Sequence, residues 1–308
     1  MRTFAEQEQN CGIIFSQGGP YWHLCTPGQF TELLFKTEED YKFIMNSVAI
    51  VAAAHQIIII TFQIMSNHLH FILEGKELEC RIFFEAIKKR LKRYFTLGGR
   101  FVDLQNFECE IIPINDLKTI RVEIVYVNRN GYLAQPNYTP YSYPWGSSNL
   151  YFGYPQQISM YPCYSTLPDL TKRALCKGRP VKLPEGYRVY ENLILPSGYC
   201  NISKGQALFR DAHQYFNLLS KNYEAYSEIA KRLGDSVFLS DDEMFACVIQ
   251  VARKSFGNTR PSMLPIKDKL SLARTMRSDY NASEGQIQRM LRLDRQVVYE
   301  LFGRPLKA

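Results

Sequence analysis

Residues Gln56 to Gln63 read QIIIITFQ, and after the joint Met65-Ser66-Asn67 the chain runs on as His68-Leu69-His70-Phe71-Ile72-Leu73. The first run is continuous and β-branched, the pattern of a buried strand, and Leu69 to Leu73 reads as a second, shorter one. Successive strand residues point to opposite faces, so His68 and His70 share a face while Leu69 enters the core. Two imidazoles on one face form a two-nitrogen metal platform. An amide or carboxylate oxygen plus phosphate oxygens would complete it for Mg²⁺ or Mn²⁺. The same triplet also reads as two partly buried, hydrogen-bonded structural histidines.

The flanking residues supply the frame. Tyr21 to Cys25 reads as an opening strand, followed by a turn at Thr26-Pro27-Gly28. Thr37 precedes Glu38-Glu39 as a helix N-cap, with Tyr41, Ile44, Met45, Val48 and Val51 at helical spacing. Beyond the hairpin, Phe84, Ile87, Leu91 and Phe95 share one face of a helix from Ile82 to Phe95. Most of its remaining surface carries Lys88, Lys89, Arg90, Lys92 and Arg93, either a solvated face or a set of phosphate contacts beside an active site, and Gly98-Gly99 ends it. Cys109 to Pro113 reads as a strand, and Asp116 as the cap of a helix from about Leu117 to Asn130, stopped by Gly131. The order β-α-β-β-α-β-α predicts an α+β fold, a ferredoxin-like (RRM-like) antiparallel sheet with helices, rather than a doubly wound parallel sheet.

With 308 residues, 46% hydrophobic and 22% charged, the chain can build one large or two ordinary cores. No run of about 18 apolar residues occurs, and the isoleucine run Ile57 to Ile60 is strand-sized, so no membrane span is expected. The start MRTFAEQEQN has acidic residues where a signal peptide would be apolar, which predicts a cytoplasmic protein. Eight cysteines form no CxxC pair and no zinc spacing and read as reduced thiols.

From Tyr132 to Ser203, tyrosine, proline and glycine are frequent and periodicity is weak, which predicts loops, short strands and an insertion or linker. Helical patterning returns at Lys204 to Leu219, Tyr223 to Leu233 and Asp241 to Phe256. The expected organisation is an α+β domain over 1–150, a loop-rich segment over 151–203 and a helical region over 204–308. The formal charge of +7 is concentrated: Arg253 to Ala308 holds 12 Lys+Arg against 5 Asp+Glu, which leaves zero for the rest. A localised positive field suits a polyanion, and equally a soluble surface.

Met65 to Leu73 resembles the MxNHxH stretch of the REP-associated tyrosine transposases and their IS200-like, single-tyrosine HUH relatives. The likeness extends upstream to Trp22-His23-Leu24, Leu34-Phe35 and Asp40-Tyr41-Lys42-Phe43. Downstream, Tyr126-Val127-Asn128-Arg129-Asn130 is similar to the family's YIxxN helix, and Tyr143-Pro144-Trp145-Gly146-Ser147-Ser148 to its YxWSS segment. The resemblance implies an HUH palm in which Tyr126 is the nucleophile and His68, His70 and Asn130 hold Mg²⁺ or Mn²⁺. Residues i and i+4 lie on one helical face and can address the same phosphate. Where the family has Asn-Pro after this helix, the chain has Asn130-Gly131. Tyr132 and, more distantly, Tyr94 compete with Tyr126 for the role; His23, His55 and His213 have no evident partner.

A second signal lies at about 267–303. Ser283 to Leu291 is an N-capped helix, Arg292-Leu293 a turn, and Asp294 to Phe302 a further helix with Val297, Val298 and Leu301 inward. The spacing resembles a helix-turn-helix, with Arg295, Gln296 and Tyr299 facing a major groove and Arg289 and Arg292 the backbone. A small helical bundle without a partner is the plainer reading.

Three functions fit these observations. The first is a metal-dependent endonuclease and strand transferase on single-stranded or hairpin DNA, monomeric or homodimeric, which can also hold double-stranded DNA through its C-terminus. The second is a domesticated relative that binds DNA or RNA without strand transfer. The third is a metallohydrolase that uses water and ignores Tyr126.

Overall fold

The computed structural model describes residues 3–26, 33–55, 57–105, 107–134, 138, 142–153, 158–221, 241–257, 260–280 and 282–303. The expected helix from Tyr223 to Leu233, residue Gln56 of the first strand and the Pro27-Gly28 turn lie outside them. The chain forms two compact units, 1–235 and 236–308.

The first unit is an α+β structure around a four-stranded antiparallel sheet. Its strands are β1 (Tyr21–Cys25), β2 (Ile58–Ile64), β3 (Leu69–Glu74) and β4 (Glu110–Ile114), in the order β2-β3-β1-β4. Helix α1 (Phe4–Gln17) precedes them; its capping box, Thr3 with Glu6, is a start signal within what reads from sequence as a merely acidic terminus. Helices α2 (Glu38–Ala54) and α3 (Glu77–Leu97) follow β1 and β3, and α4 (Leu117–Ala134) follows β4. The Thr37 N-cap forms as expected, with Asp40 completing the box, and Asp116 caps α4 by accepting from the Thr119 N–H at 2.8 Å.

The sheet has two unlike faces. Leu24, Phe62, Ile64, Leu69, Phe71 and Leu73 point into an apolar core that α2 and α3 cover, where Phe71 meets Phe83 edge-on at 5.4 Å. On the other face, Cys25 pairs with His70, His23 with Ile72 and Gln63 with His70 across the strands. This polar face lies beneath α4, and both faces are buried.

Gly131 does not stop α4, which continues to Ala134. A Cβ there would lie 1.8 Å from Gln63 Nε2 and 2.4 Å from Tyr143 Cδ1. The glycine lets the helix approach β2 and Tyr143; its role is close packing, not termination.

The segment beyond α4 packs onto edge strand β2. Tyr143 Oη donates to the Ile64 carbonyl at 2.6 Å and Tyr151 Oη to that of Ile60 at 2.8 Å. Ser147 Oγ accepts from the Phe62 N–H at 3.0 Å, the Ile64 N–H bonds the Trp145 carbonyl, and the Asn201 N–H that of Ile59. Exposed strand edges template pairing with other chains, and here hydroxyls and single bridges occupy the edge instead. The same segment contributes α5 (Asp169–Cys176) and a two-residue pairing of β5 (Val189–Tyr190) with β6 (Leu193–Ile194). Helices α6 (Ile202–Ala207) and α7 (Ala212–Lys221) follow, and Tyr215 on α7 bonds Asn128 on α4 through its hydroxyl at 3.1 Å.

The second unit contains α8 (Asp241–Phe256), α9 (Ile266–Tyr280), α10 (Glu284–Leu291) and α11 (Arg295–Phe302). Ser283 and Gln286 form a capping box on α10, which ends at Arg292 in the left-handed region at φ 48°, and Asp294 caps α11. Leu272, Met276, Ile287, Leu291 and Val298 fill its core. Among the described residues no helix is long and apolar enough to cross a membrane, and all eight cysteines are free thiols.

Candidate active site

Glu123, Tyr126 and Asn130 follow one another at three and four residues, so they share one face of α4, the face laid on the polar side of the sheet. There a chain of buried contacts begins at Glu123. Its Oε2 lies 2.6 Å from His23 Nδ1, His23 Nε2 lies 3.1 Å from His70 Nδ1, and His70 Nε2 lies 3.5 Å from Asn130 Nδ2. A carboxylate only accepts, so His23 donates through Nδ1. With His23 neutral, its Nε2 then accepts from His70 Nδ1–H, and His70 Nε2 keeps its lone pair on the Asn130 side.

Tyr126 is 1% exposed, and its ring packs edge-on against His70 (centroids 5.6 Å apart, 89°) and tilted against His23 (6.0 Å, 60°). His68 sits just before β3 rather than in it, at the tight joint where the Met65 N–H bonds its carbonyl. Its ring still meets that of His70 at 5.0 Å and 86°, with Nδ1 held by Asn67 Oδ1 at 2.8 Å. The structure thus brings Tyr126, His70, His68 and Asn130 together.

It also adds residues that the sequence reading passed over. His23, Cys25 and His70 present ligand atoms within 4.8 Å of one another, a cluster that can hold a metal ion. A nitrogen and thiolate set suits thiophilic ions, whereas imidazole with the Asn130 amide suits harder ones completed by phosphate oxygens, and His70 belongs to both. Signals for the missed residues were present. His23-Leu24-Cys25 alternates as His68-Leu69-His70 does, and Glu123 is an acid inside the apolar run from Ile120 to Val127. Gln63 joins them: its amide is fully buried beside His70, and among the described residues neither its nitrogen nor its oxygen has a hydrogen-bond partner.

The competing tyrosines differ in position. Tyr94 donates to Asp40 Oδ1 at 3.0 Å, and burial together with the Asp40 charge pushes its pKa up to about 12. It lies on α3, across the sheet from the histidines. The Tyr132 side chain is outside the described residues.

The cations expected to bind DNA divide. Helix α3 lies on the apolar side of the sheet, so Lys88 to Arg93 do not adjoin the histidine cluster as expected. Lys88 is paired with Glu108 Oε1 at 2.5 Å, and Arg90 donates to Ser47 Oγ at 3.1 Å and to the Cys176 carbonyl at 3.0 Å. These two hold the fold together, while Lys89, Lys92 and Arg93 are exposed. In the second unit Arg289, Arg292, Arg295 and Gln296 are exposed and Tyr299 is half-buried; Gln296 also donates to Glu300 at 3.3 Å.

No family model and no curated protein matches this chain. Among solved structures, a REP-associated tyrosine transposase bound to a REP hairpin aligns at 16% identity with a TM-score of 0.35, over 56% of this chain and 94% of that one.

Proposed function

We propose that the chain is a metal-dependent endonuclease and strand transferase acting on single-stranded or hairpin DNA, with Tyr126 as nucleophile. The supporting observation is the convergence of Tyr126 and Asn130 from α4 with His70 from β3 and His68 beside it in one buried cluster. We read the sheet order β2-β3-β1-β4 as ferredoxin-like and the α10–α11 pair as a helix-turn-helix that selects DNA, double-stranded DNA included.

The donor set of His68, His70 and Asn130 fits Mg²⁺ or Mn²⁺, which when bound supplies Lewis acidity and orients the scissile phosphate. Glu123 and His23 hold the His70 ring in the tautomer that leaves Nε2 open, and the two imidazoles fix the Tyr126 ring by contact. In the chemical step Tyr126 Oη, having lost its proton, bonds to phosphorus as the bond from phosphorus to O3′ breaks. The departing O3′ takes up a proton, giving a 5′-phosphotyrosine and a free 3′-hydroxyl, and the reverse attack rejoins the strand. Because Tyr126 is buried, α4 or what covers it moves before a strand enters. That burial also favours a second reading, a domesticated protein that binds DNA or RNA without strand transfer.

Labelled hairpin oligonucleotides with Mn²⁺ or Mg²⁺, followed on a denaturing gel, separate the two. The nuclease gives a covalent adduct that disappears in Tyr126→Phe and His68→Ala. Binding without adduct from any hairpin selects the binder, and an adduct surviving Tyr126→Phe removes Tyr126 from the mechanism. Cleavage without adduct selects the water-using metallohydrolase.

A further inference from the structure

Across the sheet from the histidines, the C-terminal half of α3 faces the turn that follows α5, and a cleft of about 890 Å³ lies between them. Five cations line it, Lys89, Arg90 and Arg93 from α3 and Lys177 and Arg179 from the turn, and no carboxylate does. The two walls are tied by Arg90. Its guanidinium is held over the Phe43 ring at 5.8 Å and donates to the carbonyl of Cys176, the last residue of α5. Lys177 pairs with Glu39 and turns the chain in the left-handed region, at φ 46°.

Arg90 and Lys177 therefore have structural partners. Lys89, Arg93 and Arg179 are exposed, and among the described residues no carboxylate pairs with any of them. Outside 253–308 the chain has no net charge, so this concentration is local. Two helix ends, those of α3 and α5, also meet here, and their carbonyls would repel an anion. More positive charge is gathered than capping them requires. The cleft is far larger than one phosphate needs and is open to solvent, which suits a chain passing through better than an enclosed ion.

We infer that this cleft is a second nucleic-acid site, which takes the phosphodiester backbone of a single strand on the side of the sheet away from Tyr126.

The test measures the affinity of labelled oligo(dT) by fluorescence anisotropy over a range of salt, in a Tyr126→Phe background so that no covalent adduct contributes. The triple variant Lys89→Ala, Arg93→Ala, Arg179→Ala is compared with a control of three other exposed lysines, Lys76→Ala, Lys118→Ala, Lys182→Ala. For single strands each lost phosphate contact lowers the slope of log affinity against log salt by about 0.7, so the cleft variant is expected to lose about 2 and bind at least about tenfold more weakly at low salt. The control is expected to change the slope by less than about 1, and both variants to melt as the parent does. An unchanged slope in the cleft variant, or an equal fall in the control, overturns the proposal. So does inorganic pyrophosphate binding that the cleft variant loses while oligo(dT) binding is unaffected, which would mark a small-anion pocket. Failure of the adduct assay removes Tyr126 as nucleophile and leaves this slope where it is.

Discussion

The two faces of the sheet are both largely buried and differ in what they bury. One packs Leu69, Phe71 and Leu73 against α2 and α3; the other puts His23, Cys25, Gln63 and His70 under α4. Apolar burial stabilises roughly in proportion to area and demands no particular partner, whereas each buried polar atom needs a specific one or costs free energy. The same strands thus carry a face that supports the fold and a face held for chemistry. A residue that served both would break the division.

The sharpest contrast is between Phe71→Ala and Glu123→Gln. The first removes a ring packed on Phe83 and is expected to cost about 3–5 kcal/mol in a denaturant melt, with metal affinity of the folded protein unchanged. The second keeps an acceptor for His23 but not the charge, and is expected to cost less than about 1 kcal/mol. It should lower Mn²⁺ affinity by up to about tenfold in calorimetry, because Glu123 orients the ligand His70 through its outer partner His23. If each changed both quantities alike, the faces would not be separable.

Gln63 sharpens the comparison from the other direction. Gln63→Met keeps the length and removes a buried amide that has no partner among the described residues, so Tm is expected to rise, by the equivalent of about 1 kcal/mol. Adduct yield should fall if the amide serves the site. A lower Tm would mean that the amide is satisfied and structural.

The smallest effect concerns a charged knot on the apolar side. Burial by itself would raise the pKa of Asp40, but the Lys36 N–H, Arg100 and Tyr94 together outweigh it and hold the carboxyl below its ordinary value. A depressed pKa contributes stability above the unfolded value, and that contribution is lost as pH falls through the folded one. Tm measured from neutral pH down to about pH 2 should drop in acid, and less so in Arg100→Met. An equal drop would place the acid sensitivity elsewhere.

The apolar face was the more legible in sequence, because periodicity reports burial of apolar side chains directly. The strands, the Thr37 and Asp116 caps and the core stripe of α3 follow from spacing alone. Strand alternation pairs His68 with His70 as candidates, and resemblance with the spacing on one helix singles out Tyr126 and Asn130. Glu123 and His23 each stand in a local pattern, but nothing local says that the two meet across 100 residues. Gly131 misled for a related reason: a glycine that ends a helix and one that admits a close neighbour look the same in one dimension. The tyrosines after α4 read as loop composition, although several are buried side chains whose hydroxyls seek backbone carbonyls.

Those hydroxyls carry a consequence for biosynthesis. Strand β2 leaves the ribosome long before Tyr151 and Asn201, the groups that occupy its outer edge. At about 5–20 residues per second the wait is on the order of five to thirty seconds. Through that interval the nascent hairpin has an open flank, and the polysome holds many copies of it side by side.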